Sequence, residues 1–339
     1  VIEFLSKLVG GQHLTEDEAS RAMELIMRDD ATPSQIAGLI VALRVKGETV
    51  GEIAGMARTA MALATPVDVP DPDTVLDVVG TGGDGSHSFN ISTLSAIVAA
   101  ACGARVAKHG NRAASSTCGA ADVLEALGVR IDLPPAGVAA CVRDLGIAFL
   151  FAPLFHPSFR FAGVPRRELG VRTVFNVLGP LCNPAHAGCR ALGVADAALA
   201  PRMAEVLVRL GVRRALVFSA DGLDELSTIG PSLVIELLDG RRHEYQLDPA
   251  DLGLPRASHA DLRGGDPARN AAIARAVLAG EQGPCRDVVL LNASAALRAA
   301  GLVADWREGM GLAAEAIDSG RAGELLERWA GASRAVATA

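Results

Sequence analysis

Gly80, Thr81, Gly82, Gly83, Asp84 and Gly85 follow the apolar, β-branched run 75–79, so a buried strand breaks at once into a loop with exposed backbone N–H groups. Asn90, Ser92 and Thr93 then precede the apolar helical run Leu94 to Cys102, which Gly103 closes. Amide and hydroxyl groups are thereby expected to cap the positive end of a helix dipole, where N–H donors and dipole together hold an anion. A second short strand, 104–107, runs into Lys108, His109, Gly110, Asn111 and Arg112, with Ser115 and Ser116 just beyond. Strand ends on one edge of a parallel sheet share a crevice, so these groups predict a multiply phosphorylated small molecule as ligand. Asp224 and Glu225 follow the expected strand 214–218 and the turn Ala220 to Gly222. On a loop at the same sheet edge they offer the hard oxygen ligands that suit Mg²⁺, which keeps several waters and shares its shell with phosphate.

Each signal alone has a plainer reading. An isolated glycine loop can be a bare turn, and an Asp-Glu pair is commonly a solvated loop. The combination is what carries the phosphate reading. Neither common nucleotide loop is present, since no Lys follows the glycines as GxxxxGK[ST] requires, and GTGGDG opens into a polar linker rather than a helix. No Ser-His-Asp array, Cys-His signal or HExxH occurs, so covalent catalysis and zinc hydrolysis have no support.

The elements that must position these groups can be read in outline. Residues 1 to about 66 show only helical periodicity, with a capping box at Thr15 and Glu18, a Thr32-Pro33 helix start, and a further helix after Thr49. The stripe Ile36, Leu39, Ile40 and Leu43 exceeds what a small bundle needs, which suggests a homodimer through this unit or packing against the rest of the chain. After a linker at Pro66, Pro70 and Pro72, strands 75–79, 104–107, 129–131 and 147–151 alternate with helices 92–102, 119–127 and 135–145. The alternation resumes at 191 with helix 199–210 and strand 214–218, and a hairpin turns at Asp239-Gly240. Helices over 267–279, 287–300, 305–318 and 320–330 complete the chain. The fold class expected is α/β, a mostly parallel central sheet with flanking helices, plus a smaller all-helical domain. Phe149, Phe151, Phe155, Phe159 and Phe161 read as core or interdomain seam, or as a wall for a flat aromatic ligand.

The 339 residues carry a net charge of −7, which argues against a nucleic-acid partner and an anionic membrane surface. Lysine occurs only at 7, 46 and 108, which singles out Lys108 as a compact charge for phosphate. Six cysteines without metal-ligand spacing, and no apolar run of membrane-spanning length, predict a reduced, cytoplasmic protein.

The sequence resembles the anthranilate phosphoribosyltransferase family in GTGGD, in Asn90 to Thr93, in KHGNR, in the SSTCGAADVLEALG stretch, in RRELGVRTVFNVLGPLCNPA (166–185), in DGLDEL (221–226) and in GGDPARNAAIARAVLAG (264–280). The resemblance implies transfer of a phosphoribosyl group from phosphoribosyl pyrophosphate (PRPP) to the anthranilate amine, in tryptophan biosynthesis. It implies PRPP contacts from Gly80, Gly83, Asp84, Ser88, Asn90, Ile91, Ser92 and Thr93, and from Lys108, His109, Gly110, Asn111, Arg112, Ser115 and Ser116. Anthranilate would meet Gly80, Asn111 and Arg166, and two Mg²⁺ ions would be held by Ser92, Asp224 and Glu225. His109 is a possible general base but is not assigned. Residues 156–185 would return to the helical domain, with Arg166, Arg167, Glu168 and Arg172 on a helical stretch and Gly179-Pro180 as hinge. The expected division is therefore 1–68 helical, 74–155 α/β, 156–185 helical and hinge, and 186–339 α/β. Arg166 could instead be an exposed ion pair with Glu168. Ala120 and Cys118 stand where the family usually has serine, and Cys182 where it has threonine. Another aminobenzoate as acceptor, a pyrimidine nucleoside phosphorylase and a non-catalytic nucleic-acid-binding relative are the competing readings.

Overall fold

The computed structural model describes residues 1–113, 117–238 and 240–335. Helices α1 (Ile2–Val9), α2 (Glu16–Met27), α3 (Pro33–Lys46) and α4 (Val50–Ala62) come first. Thr15 with Glu18, Thr32 with Gln35 and Thr49 with Glu52 each close a capping box, so two orphan N–H groups are satisfied at each of these three starts. The stripe Ile36, Leu39, Ile40 and Leu43 is at most 1% exposed within the single chain, so it is covered internally and offers no face to a second copy.

Among the described residues seven strands follow: β1 (Val75–Gly80), β2 (Arg105–Gly110), β3 (Ile147–Phe151), β4 (Cys189–Gly193), β5 (Arg214–Ser219), β6 (Ser232–Leu238) and β7 (Arg241–Leu247). Their order is β3-β2-β1-β4-β5-β6-β7. The first five are parallel, and β6 and β7 add an antiparallel hairpin. This is the expected mostly parallel sheet with flanking helices beside a helical unit. Asp239, half of the expected hairpin turn, lies outside the described residues; Gly240 completes the turn at φ +75°.

Strand alternation divides the apolar residues between two cores. Ala191, Leu216, Phe218 and Val234 face one, with helix α5 (Ile91–Ala101) and the C-terminal helices. Leu192, Ala215, Val217 and Ile235 face the other, which contains α1 to α4 and residues from 162 to 182 such as Val174, Phe175 and Leu178. A period of two along each strand therefore seats the helical unit on one face of the sheet.

Residues 129–131 are not a strand. Val129, Ile131 and Leu133 are buried, but the N–H of Arg130 donates to Ser333 Oγ (2.9 Å), so a helix side chain takes the place of a neighbouring strand. Burial alternating along an extended stretch produced the strand-like pattern without a ladder.

Candidate active site

The sheet reverses its winding between β1 and β4, and ligands of open α/β sheets bind outside the carboxyl ends at such a point. Gly80 and Gly193 end these two strands and are register partners. A Cβ on Gly80 would lie 2.2 Å from Asp224 Oδ2, and one on Gly193 would lie 1.6 Å from the Asp224 carbonyl oxygen. Two missing side chains thus let the loop after β5 cross the end of β4 and deliver Asp224 to the loop after β1. The N–H of Gly82 donates to Asp224 Oδ2 at 2.7 Å.

Glu225 reaches the neighbouring helix. Helix α5 begins at Ile91, and Asn90 precedes it without a side-chain cap. The N–H of Ser92 donates instead to Glu225 Oε1 at 3.0 Å, so the cap comes from 133 residues away. Asn90 turns outward from the helix: its Nδ2 donates to the Cys118 carbonyl (3.2 Å) and its Oδ1 accepts from Asn270 (2.9 Å). The expected local cap is corrected accordingly; Thr93 Oγ1 is buried with no partner among the described residues. Backbone bonds from Phe89 to Leu262 and from Gly264 to His87 hold the linker around Ser88.

Lys108 is 3% exposed. Its Nζ donates to the Val78 carbonyl and to Ser92 Oγ (3.3 Å). Burial lowers its pKa, against the pull of Asp77, Glu225 and Asp224. Burial, and then Asp84, pushes the Asp224 carboxyl up to about 6; burial, and then Asp224, pushes Glu225 up to about 8, with Lys108 opposing. Buried carboxylates that repel one another in this way call for a cation. Among the described residues no three His, Cys, Asp or Glu side chains form a metal cage on their own. A cation here would complete its shell with water and ligand oxygens, which fits Mg²⁺.

A cavity of about 490 Å³ brings these groups together. Its wall includes the whole loop Gly80 to Gly85, then Ser88 and Asn90 to Thr93, with Lys108 to Arg112, Asp224 and Glu225 opposite. Cys118 and Ala120 line it as well, at the positions where the resemblance leads one to expect hydroxyls. Ser115 and Ser116 lie outside the described residues. Arg112 is exposed and already paired, with Asp122 at 2.8 Å and Glu125 at 2.5 Å. Asn111 is exposed, and its Oδ1 accepts the N–H of Arg112.

His109 is 3% exposed, its Nδ1 is 3.1 Å from the Gly179 carbonyl, and burial, with His156 nearby, pushes its pKa down to about 3. It is a neutral imidazole at physiological pH. Arg166 does not line the cavity. It sits on helix Gly163–Leu169, half-buried, with its guanidinium 5.2 Å from the Phe175 ring centre and no ion pair to Glu168 among the described residues. A row of rings joins it to the cavity: Phe175 meets Phe159 (5.7 Å), Phe159 meets His156 (5.0 Å), and His156 meets His109 (5.2 Å). Of the clustered phenylalanines, Phe149 and Phe155 are core, and Phe159 belongs to this row.

Two residues escaped the sequence reading, and a third was misplaced by it. Gly193 was readable only as a strand end, although a strand glycine marks close backbone approach. Asp77, fully buried in β1, accepts the His109 N–H (3.0 Å) and faces Arg190 at 3.9 Å; an acid inside an apolar run was the available signal. Arg172 was expected on a helix, but Gly170, at φ +62°, ends that helix two residues earlier. Its guanidinium extends to the glycine loop.

A family model described as the glycosyl transferase family a/b domain matches residues 72–323, and one described as its helical bundle domain matches residues 2–64. Anthranilate phosphoribosyltransferase 2 of Streptomyces coelicolor is 61% identical over 321 residues, covering 94% of this chain and 96% of that one. The crystal structure of anthranilate phosphoribosyltransferase from Thermus thermophilus superposes with a TM-score of 0.93 at 48% identity, covering 98% and 99% of the two chains. The Saccharomyces cerevisiae enzyme in complex with PRPP and Mg has a TM-score of 0.90 at 31% identity, covering 98% of both chains.

Proposed function

The chain belongs to the anthranilate phosphoribosyltransferase family, and from that premise we infer that it transfers the 5-phosphoribosyl group of PRPP to the amine of anthranilate, a step of tryptophan biosynthesis. The observation that carries the inference is the meeting of the glycine loop, Lys108 and the Asp224-Glu225 pair in one cavity at the switch point of the sheet. The loop N–H groups and the start of α5 bind phosphate oxygens, and Lys108 supplies a buried point charge. Ser92, Asp224 and Glu225 would hold Mg²⁺, whose chemistry here is to neutralise charge on the departing pyrophosphate. We propose two such ions, as the family resemblance implies. His109, neutral and held by its Nδ1 contact to Gly179, shapes the acceptor side and does not need to take a proton.

Mixing the protein with anthranilate, PRPP and Mg²⁺ should extinguish anthranilate fluorescence, and a chelator should stop the decay. Absence of turnover at saturating Mg²⁺ would contradict the assignment.

Arg166 is the group we assign to the anthranilate carboxylate. A half-buried guanidinium with no carboxylate partner among the described residues is available for a bidentate bond, and burial already lowers its pKa. Replacing Arg166 by Ala should raise the KM for anthranilate by about thirtyfold or more while the KM for PRPP changes little. Equal shifts in both constants would count against the role.

A further inference from the structure

Gly82, Gly83 and Gly85 all adopt left-handed backbone angles, with φ at +67°, +68° and +69°. Asp84 braces the end of the run by accepting from the N–H and hydroxyl of Ser86, but Gly82 and Gly83 carry no side chain, and glycine has the largest backbone freedom to lose. At Gly82 and Gly83 the restraint comes from outside the loop, on two sides. On the sheet side Asp224 accepts the Gly82 N–H. On the other side Arg172 Nη1 donates to the carbonyl oxygens of both Gly82 (2.7 Å) and Gly83 (2.8 Å). The approach is close enough that a Cβ on Gly83 would lie 2.2 Å from that nitrogen.

The direction of these bonds has a consequence for the opposite side of the loop. In a trans peptide the C=O and the following N–H point opposite ways. Holding the carbonyls of residues 82 and 83 toward Arg172 therefore turns the N–H groups of Gly83 and Asp84 away from it. Gly83 and Asp84 line both the 490 Å³ cavity and a second cavity of about 320 Å³ next to the helical unit, whereas Arg172 lines only the second of these. A cation behind the two peptide groups also polarises them, which strengthens their N–H donors. Arg172 lies two residues before Val174 and three before Phe175, both buried in the core of the helical unit. Its reach therefore ties the loop after β1 to the helical unit.

We propose that Arg172 is a positioning residue: from the helical unit it fixes the glycine loop so that the N–H groups of Gly83 and Asp84 face the diphosphate of the phosphoribosyl donor. The proposal rests on the function inferred above.

Titration calorimetry of the full chain with PRPP and Mg²⁺, and separately with anthranilate, tests it in the wild type, Arg172→Gln and Arg172→Lys, with melting temperature as a folding control. Arg172→Gln should raise the Kd for PRPP by about tenfold or more, because two charge-assisted bonds are lost, and should leave the anthranilate Kd within about twofold. Millimolar guanidinium should restore part of the lost affinity, which a merely structural role would not permit. An unchanged PRPP affinity, or equal losses for both ligands, overturns the proposal. If Arg172→Gln does not fold, Arg172→Lys decides: the shorter side chain ends in a flexible ammonium that does not place a donor where Nη1 meets both carbonyls, so PRPP affinity should fall severalfold, and wild-type affinity overturns the proposal. Failure of the wild type to bind PRPP would instead refute the function itself.

Discussion

Changing Asp224→Asn together with Glu225→Gln should lower kcat/KM for PRPP by about a hundredfold to a thousandfold, because the hard anionic ligands for the metal are removed while the shape is kept. The amide oxygens can still accept from the N–H groups of Gly82 and Ser92, so the local fold should survive. The same variant makes a second, opposite prediction for stability. In the folded chain Asp224 and Glu225 are raised to about 6 and about 8 from ordinary values of 3.8 and 4.5. Between about pH 4 and pH 8 the folded protein therefore binds more protons at these groups than the unfolded chain does, and their contribution to stability falls as pH rises through that window. Below it both states are protonated, and above it both are ionised, so the contribution is flat at either side.

Chelator-treated wild type should lose stability to urea across this pH range. The double variant should lose less, and added Mg²⁺ should restore the wild type by binding only its folded, ionised site. Identical pH slopes in the two proteins, with kcat/KM within about threefold, would remove the acidic pair from the mechanism.

Lys108→Met should lower kcat/KM for PRPP by about a hundredfold or more. Truncating one member of a buried, hydrogen-bonded charge group typically costs about 2–5 kcal/mol, largely because its partners remain buried. Here the hydrogen-bond partners are the Val78 carbonyl and Ser92 Oγ, and the charges left behind are Asp77, Glu225 and Asp224, which act on Lys108 through space. The methionine nearly matches the side-chain volume, so the loss is of charge and of the bonds to Val78 and Ser92. Arg112→Ala supplies the contrast. Arg112 lines the same cavity but is exposed and occupied by Asp122 and Glu125, so its removal should cost less than about tenfold. Steady-state kinetics over a range of PRPP concentrations checks both. Equal losses in the two variants would mean that net positive charge, and not the buried position of Lys108, sets donor affinity.

The helical unit, the β-α alternation and the hairpin were legible because each rests on local rules. Thr15 and Glu18 are three residues apart and cap their own helix, and apolar residues two apart on β5 face one core. The extended stretch 129–131 was misread because alternating burial does not say what satisfies the backbone. Ser333, some two hundred residues on, supplies that partner. Arg172 was misplaced for a related reason: the sequence marks a helix stop at Gly170, but not where a long side chain will reach.

For the candidate site, the residue types were readable and their relations were not. The run of glycines, the single lysine of the α/β motifs and the Asp-Glu pair declare phosphate and divalent-cation chemistry, since few other residues present N–H donors, a point charge and hard oxygens so close to strand ends. Tertiary structure alone decided that Glu225 caps α5, that two strand-ending glycines admit the Asp224 loop, and that Arg172 and Asp224 grip one loop from opposite sides. The hydrogen bonds among these contacts, Arg172 to Gly82, Ser92 to Glu225 and Gly82 to Asp224, join residues 90 to 142 positions apart, and at such separations only the order of strands in the folded sheet determines who meets whom.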